Sequence, residues 1–361
     1  MIIGSVSENK EIEKRISITP ELAKKYISNG FEILIEADFG LQLGISDKEF
    51  IKIGCKIDQR ENILKKSDII LQLNLPNDSS LKHLKENNIL IGNFNSNQNL
   101  EKIKKLKTNK ISVFSLELLP RITRAQSMDI LSSQANLAGY KAVIDSFAKF
   151  MKAIPMMMTA AGTITAAKVL VIGAGVAGLQ AIATAKRMGA IVFATDVRIA
   201  SKEQVESLGG KFLVVEGSKD LETESGYAKE TTDQFKKKQE NLLAETLKKI
   251  DIVICTALIP GKNAPKIISK KMIENMQPGS VIYDLAASQG GNTVCTKVDE
   301  VVQKNGVTII GEKNILNKLP VSASNLYAKN LFNFVLNLYD KENNKININL
   351  EDEIINKTLV S

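Results

Sequence analysis

Three glycines at G-x-G-x-x-G spacing, Gly173, Gly175 and Gly178, directly follow the apolar run at residues 168–172. The first glycine permits a tight turn, the second lets the backbone approach a pyrophosphate, and the third lets a helix pack closely on a strand. Backbone N–H groups at the start of such a helix face a bound anion, and the helix dipole adds to the attraction. A lone glycine pattern is also typical of structural turns, but a preceding strand and a following helix favour a dinucleotide site.

An acidic residue, Asp196, ends the next apolar run, at residues 191–196. A carboxylate at this place accepts hydrogen bonds from the adenosine ribose and repels the additional phosphate of NADP(H). The sequence therefore favours NAD(H) as the cofactor, although Arg198 could accommodate that phosphate. The residues predicted to contact the nucleotide in this region of the chain are Gly173, Gly175, Val176, Ala177, Gly178, Asp196, Val197 and Arg198.

A second group of polar residues lies in the segment RITRAQSMDILSS, which begins at Arg121. A helix cap with surface ion pairs would account for these residues, and so would donors and acceptors around a ligand. Arg121 and Asp129 could pair, Gln126 could orient an amide or a bound water, and Ser132 is a further candidate. No histidine or lysine general base is evident. The segment fits hydride transfer between two nicotinamides, which exchanges no proton, better than oxidation of an alcohol or amine.

The elements that must position these residues follow from the apolar runs. The first third of the chain alternates short apolar runs with helix-like stretches, which predicts a parallel α/β sheet. Its predicted strands are residues 2–6, 31–37, 68–73, 88–94 and 111–118, with a helix at 19–29. Six later strands with crossovers predict a doubly wound nucleotide domain. These strands are residues 168–172, 191–196, 212–215, 250–256, 280–285 and 307–310. The turn at 173–178 leads into a helix that runs to about residue 188, and further helices are expected at 202–208, 234–249 and 264–276.

The predicted fold class is α/β, with two Rossmann-like doubly wound parallel-sheet domains joined by long helices. One long helix is predicted from about residue 132 to 151, and the tail after Pro320 resumes a helical pattern that we expect to return to the N-terminal domain. The predicted domains are residues 1–131 with 321–361, and residues 132–320, which bind NAD(H). The polar stretch at 217–232 is long for a connection, and either disorder or a mobile loop over the nucleotide would account for it.

Composition narrows the function classes. No apolar run approaches the roughly 18–20 residues that span a bilayer, and the N-terminus lacks the pattern of a secretory signal. We therefore expect a cytoplasmic protein, at most docked on a membrane partner. The formal charge of +8 is spread over many lysines without a dense basic patch, so nucleic acid is not an expected partner. Three separated cysteines and one histidine predict no metal site, no disulfide framework and few routes to a catalytic triad.

Along nearly the whole chain, these segments resemble the NAD(H)-binding component of proton-translocating transhydrogenases. The segments that carry the resemblance are EKRISITP, RITRAQSMDILSSQANLAGYKAV, PMMMTAAGTI, VIGAGVAGLQAIATAKRMGA, TDVR, KEQVESLGGKF, SGYAKE, TALIPGK, MQPGSVIYDLA, GGN and LYAKNLFNF. The RAQSMD…NLAGY and TALIPG segments are the most specific of these. One departure is AASQGGN, which lacks the acidic residue expected shortly before the glycines.

The resemblance implies roles for residues that spacing alone leaves open. Arg121, Gln126, Asp129 and Ser132 would surround the nicotinamide and, with Tyr227, would form the catalytic set. Asp196 would bind the adenosine ribose. The other implied nucleotide neighbours are Gly226 and Gln239 in or beside a mobile loop, Leu258, and Tyr140 in the long helix.

The resemblance also implies partners. The family's component is a homodimer that docks on an NADP(H)-binding beta subunit, to which it passes hydride from NADH. A membrane-domain subunit couples this transfer to proton translocation, so the chain would lie on the cytoplasmic side of the inner membrane through its partners. Neither NADP(H) nor a membrane domain is expected on this chain.

Alanine dehydrogenase, which shares the fold, is the alternative family. It resembles the chain in the N-terminal R-x-x-x-T-P pattern that starts at Arg15. However, its pyruvate-binding lysine would fall near Asn74, its catalytic histidine near Asn95, and its acidic residue before the glycine pair near Ser288. Because all three functional residue types are missing, the transhydrogenase interpretation is favoured over an amino-acid dehydrogenase.

Overall fold

The structure is a computed structural model that describes residues 1–215, 233–259 and 262–361. It divides into two compact units, Met1–Gln134 with Leu316–Ser361, and Ala135–Ile315. The boundaries expected from the sequence, after residues 131 and 320, lie within a few residues of these divisions. The predicted mobile loop at 217–232, including Gly226 and Tyr227, lies outside the described residues.

The strands share a short length, and most are apolar. In chain order they are β1 Ile2–Ser5, β2 Glu32–Glu36, β3 Lys56–Asp58, β4 Ile69–Leu71, β5 Ile89–Gly92, β6 Ser112–Ser115, β7 Met157–Thr159, β8 Gly162–Ile164, β9 Lys168–Ile172, β10 Ile191–Thr195, β11 Lys211–Phe212, β12 Ile252–Cys255, β13 Val281–Asp284, β14 Glu300–Lys304, β15 Val307–Gly311, β16 Tyr339–Asp340 and β17 Lys345–Ile346.

The helices range from one turn to about five turns. In chain order they are α1 Pro20–Ser28, α2 Asp47–Ile53, α3 Arg60–Lys66, α4 Asp78–Leu81, α5 Leu100–Thr108, α6 Ile130–Lys149, α7 Val176–Arg187, α8 Ser201–Ser207, α9 Asp233–Leu247, α10 Lys270–Glu274, α11 Pro320–Leu338 and α12 Glu353–Thr358.

The described residues of the first unit form a parallel sheet with the order β3-β2-β1-β4-β5-β6. Its core combines the buried faces of these strands with one face of α11, which contributes Tyr327, Leu331 and Phe334. The helical spacing of apolar residues in α11 explains this burial, because residues three and four positions apart lie on one side of a helix. The sequence did not predict β3, whose residues are half-buried or exposed and form no apolar run.

The second unit contains a sheet with the order β11-β10-β9-β12-β13-β15-β14, in which β14 is antiparallel and the other described strands are parallel. The six predicted strands are present, although β11 spans only Lys211–Phe212. The strand β14 was missed, because its sequence EVVQK is largely exposed and lacks an apolar run. The predicted α/β class with parallel sheets is confirmed.

One prediction for the second unit was wrong, and one hairpin was not predicted. The helix expected at residues 264–276 is limited to α10, because the N–H groups of Ala264 and Ile267 donate to the carbonyls of Gln289 and Asn292 instead of continuing a helix. Pro265 also lacks the N–H group that a helix interior requires. In addition, β7 and β8 form an antiparallel hairpin that the sequence did not predict.

Candidate nucleotide site

The glycine-rich turn connects β9 to α7 as the sequence predicted. Gly173 has a φ of +94°, in the region that favours glycine, and it turns the chain sharply after β9. A Cβ atom on Gly178 would lie 1.8 Å from the carbonyl oxygen of Gly173. No side chain larger than hydrogen fits at position 178 unless the turn moves, so Gly178 allows the close packing of the helix on the turn.

The start of α7 is open to a ligand. A Cβ atom added to Gly175 would meet no described atom within 4 Å, so the backbone here borders free space. Gly175 is the N-cap residue, and no side chain in the described structure caps the helix at this position. The N–H groups of Val176 and Ala177 in the first turn can therefore bind an anion, assisted by the helix dipole. This arrangement fits the pyrophosphate of a dinucleotide.

Asp196 follows β10, and its carboxylate accepts hydrogen bonds from the glycine turn and from Arg198. Its Oδ2 atom accepts a hydrogen bond of 2.6 Å from the N–H of Ala174 in the glycine turn. Arg198 donates to the same carboxylate through its backbone N–H, its Nε and its Nη2, each at 2.9 Å. Val197, between them, is half-buried. The predicted ribose acceptor therefore lies beside the turn and is paired with Arg198.

The end of β12 lies next to the glycine turn, because β9 and β12 are neighbouring strands. The hydroxyl of Thr256 donates to the carbonyls of Ile172 and Gly173, at 3.1 and 2.9 Å. These bonds fix the two strand ends on either side of the point where the strand order reverses, which is the usual ligand crevice of an open α/β sheet. Leu258, which the resemblance places near the nucleotide, is exposed two residues later.

The GGN turn is organised by an acid that the sequence analysis did not find. Asp284, at the end of β13, is fully buried, and its Oδ2 atom accepts from the backbone N–H groups of Asn292 and Thr293 at 2.7 and 3.1 Å. The amide of Asn292 in turn bonds both backbone groups of Ala257, at 3.0 and 2.8 Å. Asp284 thus supplies a carboxylate to the turn, although the sequence places Ser288 shortly before the glycines.

Gly139 is a further residue that sequence reasoning did not assign. It lies in α6, where an added Cβ would approach the carbonyl oxygen of Ala177 to 2.0 Å. The helix α6 therefore packs directly against the first turn of α7, which carries the anion-binding N–H groups. The motif NLAGY contained the signal, since a glycine inside a long helix usually has a packing reason. Tyr140, the next residue, is exposed.

The polar segment of the first unit includes a helix cap. Asp129 precedes α6, and its carboxylate accepts from the backbone N–H and the hydroxyl of Ser132, at 2.9 and 2.5 Å. Arg124 forms a bidentate pair with Asp352. Arg121 and Gln126 have exposed side chains around a short 3-10 helix at Thr123–Met128. Asp129 thus caps α6 and Arg124 forms an ion pair, while Arg121, Gln126, Asp129 and Ser132 stay ligand candidates.

The remaining predicted residues are Gln239, which is half-buried in α9, and Gly226 and Tyr227, which lie outside the described residues. Within the described ranges, no three side chains of His, Cys, Asp or Glu are grouped so that they could hold a metal ion. None of the described helices has both the length and the apolar character needed to cross a bilayer.

The first unit contains a buried ion pair near the ends of its central strands. Arg15 donates to Glu13 through Nε at 2.8 Å and through Nη2 at 2.7 Å, and to the Oε1 atom of Gln134 at 2.8 Å. The side chains of Arg15 and Glu13 are 13% and 4% exposed. Glu8, three residues after β1, accepts from the N–H groups of Leu73 and Asn74 after β4, at 2.9 and 3.1 Å.

Comparison with known proteins decides the family. The model described as alanine dehydrogenase/PNT, N-terminal domain, matches residues 4–138, and its C-terminal counterpart matches residues 142–361. The chain is 46% identical over 369 residues to an NAD(P) transhydrogenase alpha-subunit polypeptide of Rhodospirillum rubrum, with coverage of 100% of this chain and 96% of that protein. The chain belongs to the NAD(P) transhydrogenase alpha-subunit family.

Solved structures agree with this family. A transhydrogenase from Sinorhizobium meliloti superposes with a TM-score of 0.89 at 42% identity, covering 100% of this chain and 98% of that one. An L-alanine dehydrogenase gives a TM-score of 0.82 at 18% identity, covering 100% and 95%, which shows a shared fold. The resemblance inferred from the motifs is confirmed, and the family accounts for a nucleotide-binding Rossmann-type domain around the glycine turn.

Proposed function

We propose that this chain binds NADH and passes its hydride to NADP+ held by a separate subunit. The observation that carries the proposal is the glycine turn. No described side chain caps the start of α7, no described atom lies within 4 Å of a Cβ added to Gly175, and Asp196 follows the neighbouring strand. Membership of the transhydrogenase alpha-subunit family supports the same cofactor and reaction.

The proposed roles in nucleotide binding follow the geometry of the turn. The N–H groups of Val176 and Ala177 bind the pyrophosphate, and Asp196 accepts hydrogen bonds from the ribose hydroxyls. Val197 and Leu258 provide contacts for the adenosine moiety. Each role uses backbone groups, apolar contacts or a carboxylate, so these residues bind and orient the nucleotide and perform no bond chemistry.

The proposed roles at the nicotinamide come from the resemblance. Gln126 orients the carboxamide, Arg121 and Asp129 with Ser132 supply polar contacts, and Tyr227, with its neighbour Gly226 and with Gln239, closes over the nucleotide. NADH gives up the hydrogen on C4 of its dihydronicotinamide ring together with both electrons of that bond, and NADP+ accepts them. Because no proton is exchanged with this chain, the reaction needs orientation and exclusion of water instead of an acid–base pair.

The alternative, an alanine dehydrogenase, conflicts with the contacts of Arg15. An arginine fork binds a substrate carboxylate through two parallel N–H groups. Here Glu13 already receives hydrogen bonds from Nε and Nη2 of Arg15, and Gln134 receives one from Nη1. The chain's own carboxylate thus occupies the Nε–Nη2 edge of the guanidinium, so a small carboxylic acid could bind that edge only by displacing Glu13. We expect no reduction of NAD+ when alanine is the only other substrate.

The proposed assembly is a homodimer bound to an NADP(H)-binding beta subunit and a membrane-domain subunit, with the chain on the cytoplasmic side of the inner membrane. The β7–β8 hairpin supports an interface, because Met156 and Met158 are 63% and 82% exposed. Coupling to proton translocation rests on the family. We expect analytical sedimentation of the wild-type chain to show a dimer. Met158→Asp should dissociate this dimer, whereas the control variant Met188→Asp, at another exposed methionine, should leave it intact.

A reconstitution tests the proposed reaction. The chain is mixed with an NADP(H)-binding subunit, and reduction of an NAD analogue by NADPH is followed. We expect turnover that requires both proteins, and Gln126→Ala should lower it about tenfold or more while NADH still binds. Thr123→Ala, an exposed neighbour in the same 3-10 helix, is the control. Absence of turnover with both components folded and nucleotide-loaded would contradict the proposal.

A further inference from the structure

The carboxylate of Asp196 has its hydrogen-bonding capacity filled. Its Oδ1 atom accepts from the backbone N–H and the Nε of Arg198, both at 2.9 Å. Its Oδ2 atom accepts from Ala174 N at 2.6 Å and from Arg198 Nη2 at 2.9 Å. A carboxylate offers about four lone-pair sites, so these four donors leave no acceptor for the hydroxyls of a ribose.

The four donors differ in their freedom to move. The N–H groups of Ala174 and Arg198 belong to backbone that the glycine turn and the end of β10 fix in place. The other two donors belong to the Arg198 guanidinium, at the end of a long flexible side chain. The side chains of Arg198 and Asp196 are only 15% and 7% exposed, so solvent screens their attraction less than that of a surface pair.

We propose that Arg198 limits the affinity for NAD(H), because it acts as an internal competitor for the ribose site. In the free protein the guanidinium occupies Asp196, and NAD(H) binds when the ribose hydroxyls replace the guanidinium on that carboxylate. This inference rests on the proposed function, since it requires that the chain bind NAD(H) through Asp196. It reverses the usual role of an arginine at this position, which is to receive the additional phosphate of NADP(H).

The competition acts differently on the two nucleotides. The 2′- and 3′-hydroxyls of NAD(H) can donate to Asp196 and so replace both guanidinium donors. A 2′-phosphate cannot donate, and its charge repels the carboxylate, so NADP(H) cannot make the exchange. Arg198 thereby weakens binding of every dinucleotide by holding the site closed, and only a ligand that supplies replacement donors opens it.

Removal of the guanidinium should therefore tighten NADH binding. If the site is open in about a tenth to a third of the free molecules, Arg198→Met lowers the dissociation constant of NADH roughly threefold to tenfold. NADPH remains excluded, because Asp196 is still present. Arg198→Lys keeps the charge but lacks the planar fork that makes two bonds to one carboxylate, so an intermediate affinity is expected.

Calorimetric titration of the full chain with NADH and with NADPH tests the proposal. The matched control is Lys202→Met, which also removes a positive charge close to the site. Lys202 lies in α8, and its Nζ atom is 4.0 Å from Oε1 of Glu206. We expect tighter NADH binding for Arg198→Met and an unchanged NADH affinity for the control. A general loss of structure cannot produce this result, because damage to the site weakens binding.

Three outcomes overturn the proposal in distinguishable ways. If the wild-type chain binds NADH but neither Arg198→Met nor Arg198→Lys binds it more tightly, the competition is absent. If Arg198→Met gains no NADH affinity but loses residual NADPH binding, the arginine receives the phosphate. If the wild-type chain itself does not bind NADH, the proposed function falls together with the inference. The unfolding temperature without nucleotide verifies that each variant is folded.

Discussion

The two sheets of this chain share one strand order, yet only one carries a glycine-rich turn. Both β3-β2-β1-β4-β5-β6 and β11-β10-β9-β12-β13-β15 follow the 3-2-1-4-5-6 order, with β14 added to the second. In each sheet the order reverses between the first and fourth strands, and this place is the switch point of the sheet. Parallel α/β sheets form a ligand crevice there, at the carboxyl ends of the strands. Topology therefore provides an equivalent place for a ligand in each unit.

The side chains at these two places decide what the crevice can do. After β1, Glu8 accepts from the N–H groups of Leu73 and Asn74, so a carboxylate links the two strand ends. After β9, the residues are Gly173, Ala174 and Gly175, and the backbone at Gly175 borders free space. In the first sheet a carboxylate bonds across the two strand ends, whereas in the second a threonine hydroxyl joins the strand ends and the backbone at Gly175 stays open. The same fold thus provides two places for a ligand without fixing their use.

The largest expected effect comes from breaking the buried ion pair of the first unit. Glu13→Ala leaves the Arg15 guanidinium without its main partner, and loss of one member of a buried pair costs about 3 kcal/mol in the free energy of unfolding. Urea denaturation measures this loss. NADH affinity of the folded variant should not change, because the pair serves the structure of the first unit.

The control for this variant is Glu21→Ala, which breaks the exposed pair with Lys25. Its free energy of unfolding should match that of the wild-type chain, because exposed ion pairs contribute little to stability. If Glu13→Ala unfolds at the wild-type urea concentration, the pair does not stabilise the first unit. If the variant changes NADH affinity, the pair has a role beyond the structure of that unit.

The second prediction uses glycines in both sheets. A Cβ on Gly178 would lie 1.8 Å from the carbonyl oxygen of Gly173, and a Cβ on Gly4 would lie 2.1 Å from the hydroxyl oxygen of Ser67. Each alanine variant should lose about 2 kcal/mol of stability from overpacking. Only Gly178→Ala should also abolish NADH binding, which a titration of NADH fluorescence can follow without tryptophan background, since the chain contains no tryptophan.

These variants separate packing from ligand contact. Equal losses of stability with NADH binding lost only in Gly178→Ala would place nucleotide recognition at the second switch point. If Gly4→Ala abolished NADH binding at unchanged folding, the comparison between the two sheets would be wrong.

The sequence predicted most of the fold because buried strands have apolar runs. Two of the strands that it missed, Lys56–Asp58 and Glu300–Lys304, lie at the edges of the large sheets and have exposed or half-buried residues, so no apolar run marks them. The helix expected at 264–276 is shorter because Ala264 and Ile267 find hydrogen-bond partners in a distant loop. Such partners depend on tertiary structure, which local spacing does not encode.

In the candidate site too, local patterns could be predicted and long-range contacts could not. The spacing of Gly173, Gly175 and Gly178 identified the turn, because the turn needs glycine at these positions for local backbone reasons. Gly139 and the carboxylate of Asp284 were not assigned, since their partners lie about 40 and 8 residues away and meet them only in the folded chain. The contacts between Asp129 and Ser132 also show why a polar segment alone does not distinguish a helix cap from a ligand site.

The third prediction isolates ligand contact from folding. At Gly175 φ is −77°, which any residue can adopt, and an added Cβ meets no described atom within 4 Å. Gly175→Ala should therefore unfold like the wild-type chain, yet hold NADH about tenfold more weakly, because the methyl group enters the space proposed for the pyrophosphate. Calorimetric titration and urea denaturation together measure both quantities.

The smallest effect concerns Glu8 in the first switch point. Burial raises the pKa of Glu8, against the lowering effect of the hydrogen bonds from Asn74 and Leu73. As the pH rises above 4.5, the unfolded chain releases this proton first, while the folded chain keeps it until its higher pKa is passed. Stability attributable to Glu8 therefore falls through this window, and the loss persists at neutral pH.

Glu8→Gln removes that loss while its amide oxygen can still accept from the backbone N–H groups after β4. We expect the variant to be more stable than the wild-type chain at pH 7, by less than about 1 kcal/mol, and equal to it below pH 4.5, where both states are protonated. Glu11→Gln, an exposed neighbour, should show no such pH dependence. If Glu8→Gln is less stable than the wild-type chain at pH 7, the negative charge of Glu8 itself stabilises the link between the ends of β1 and β4.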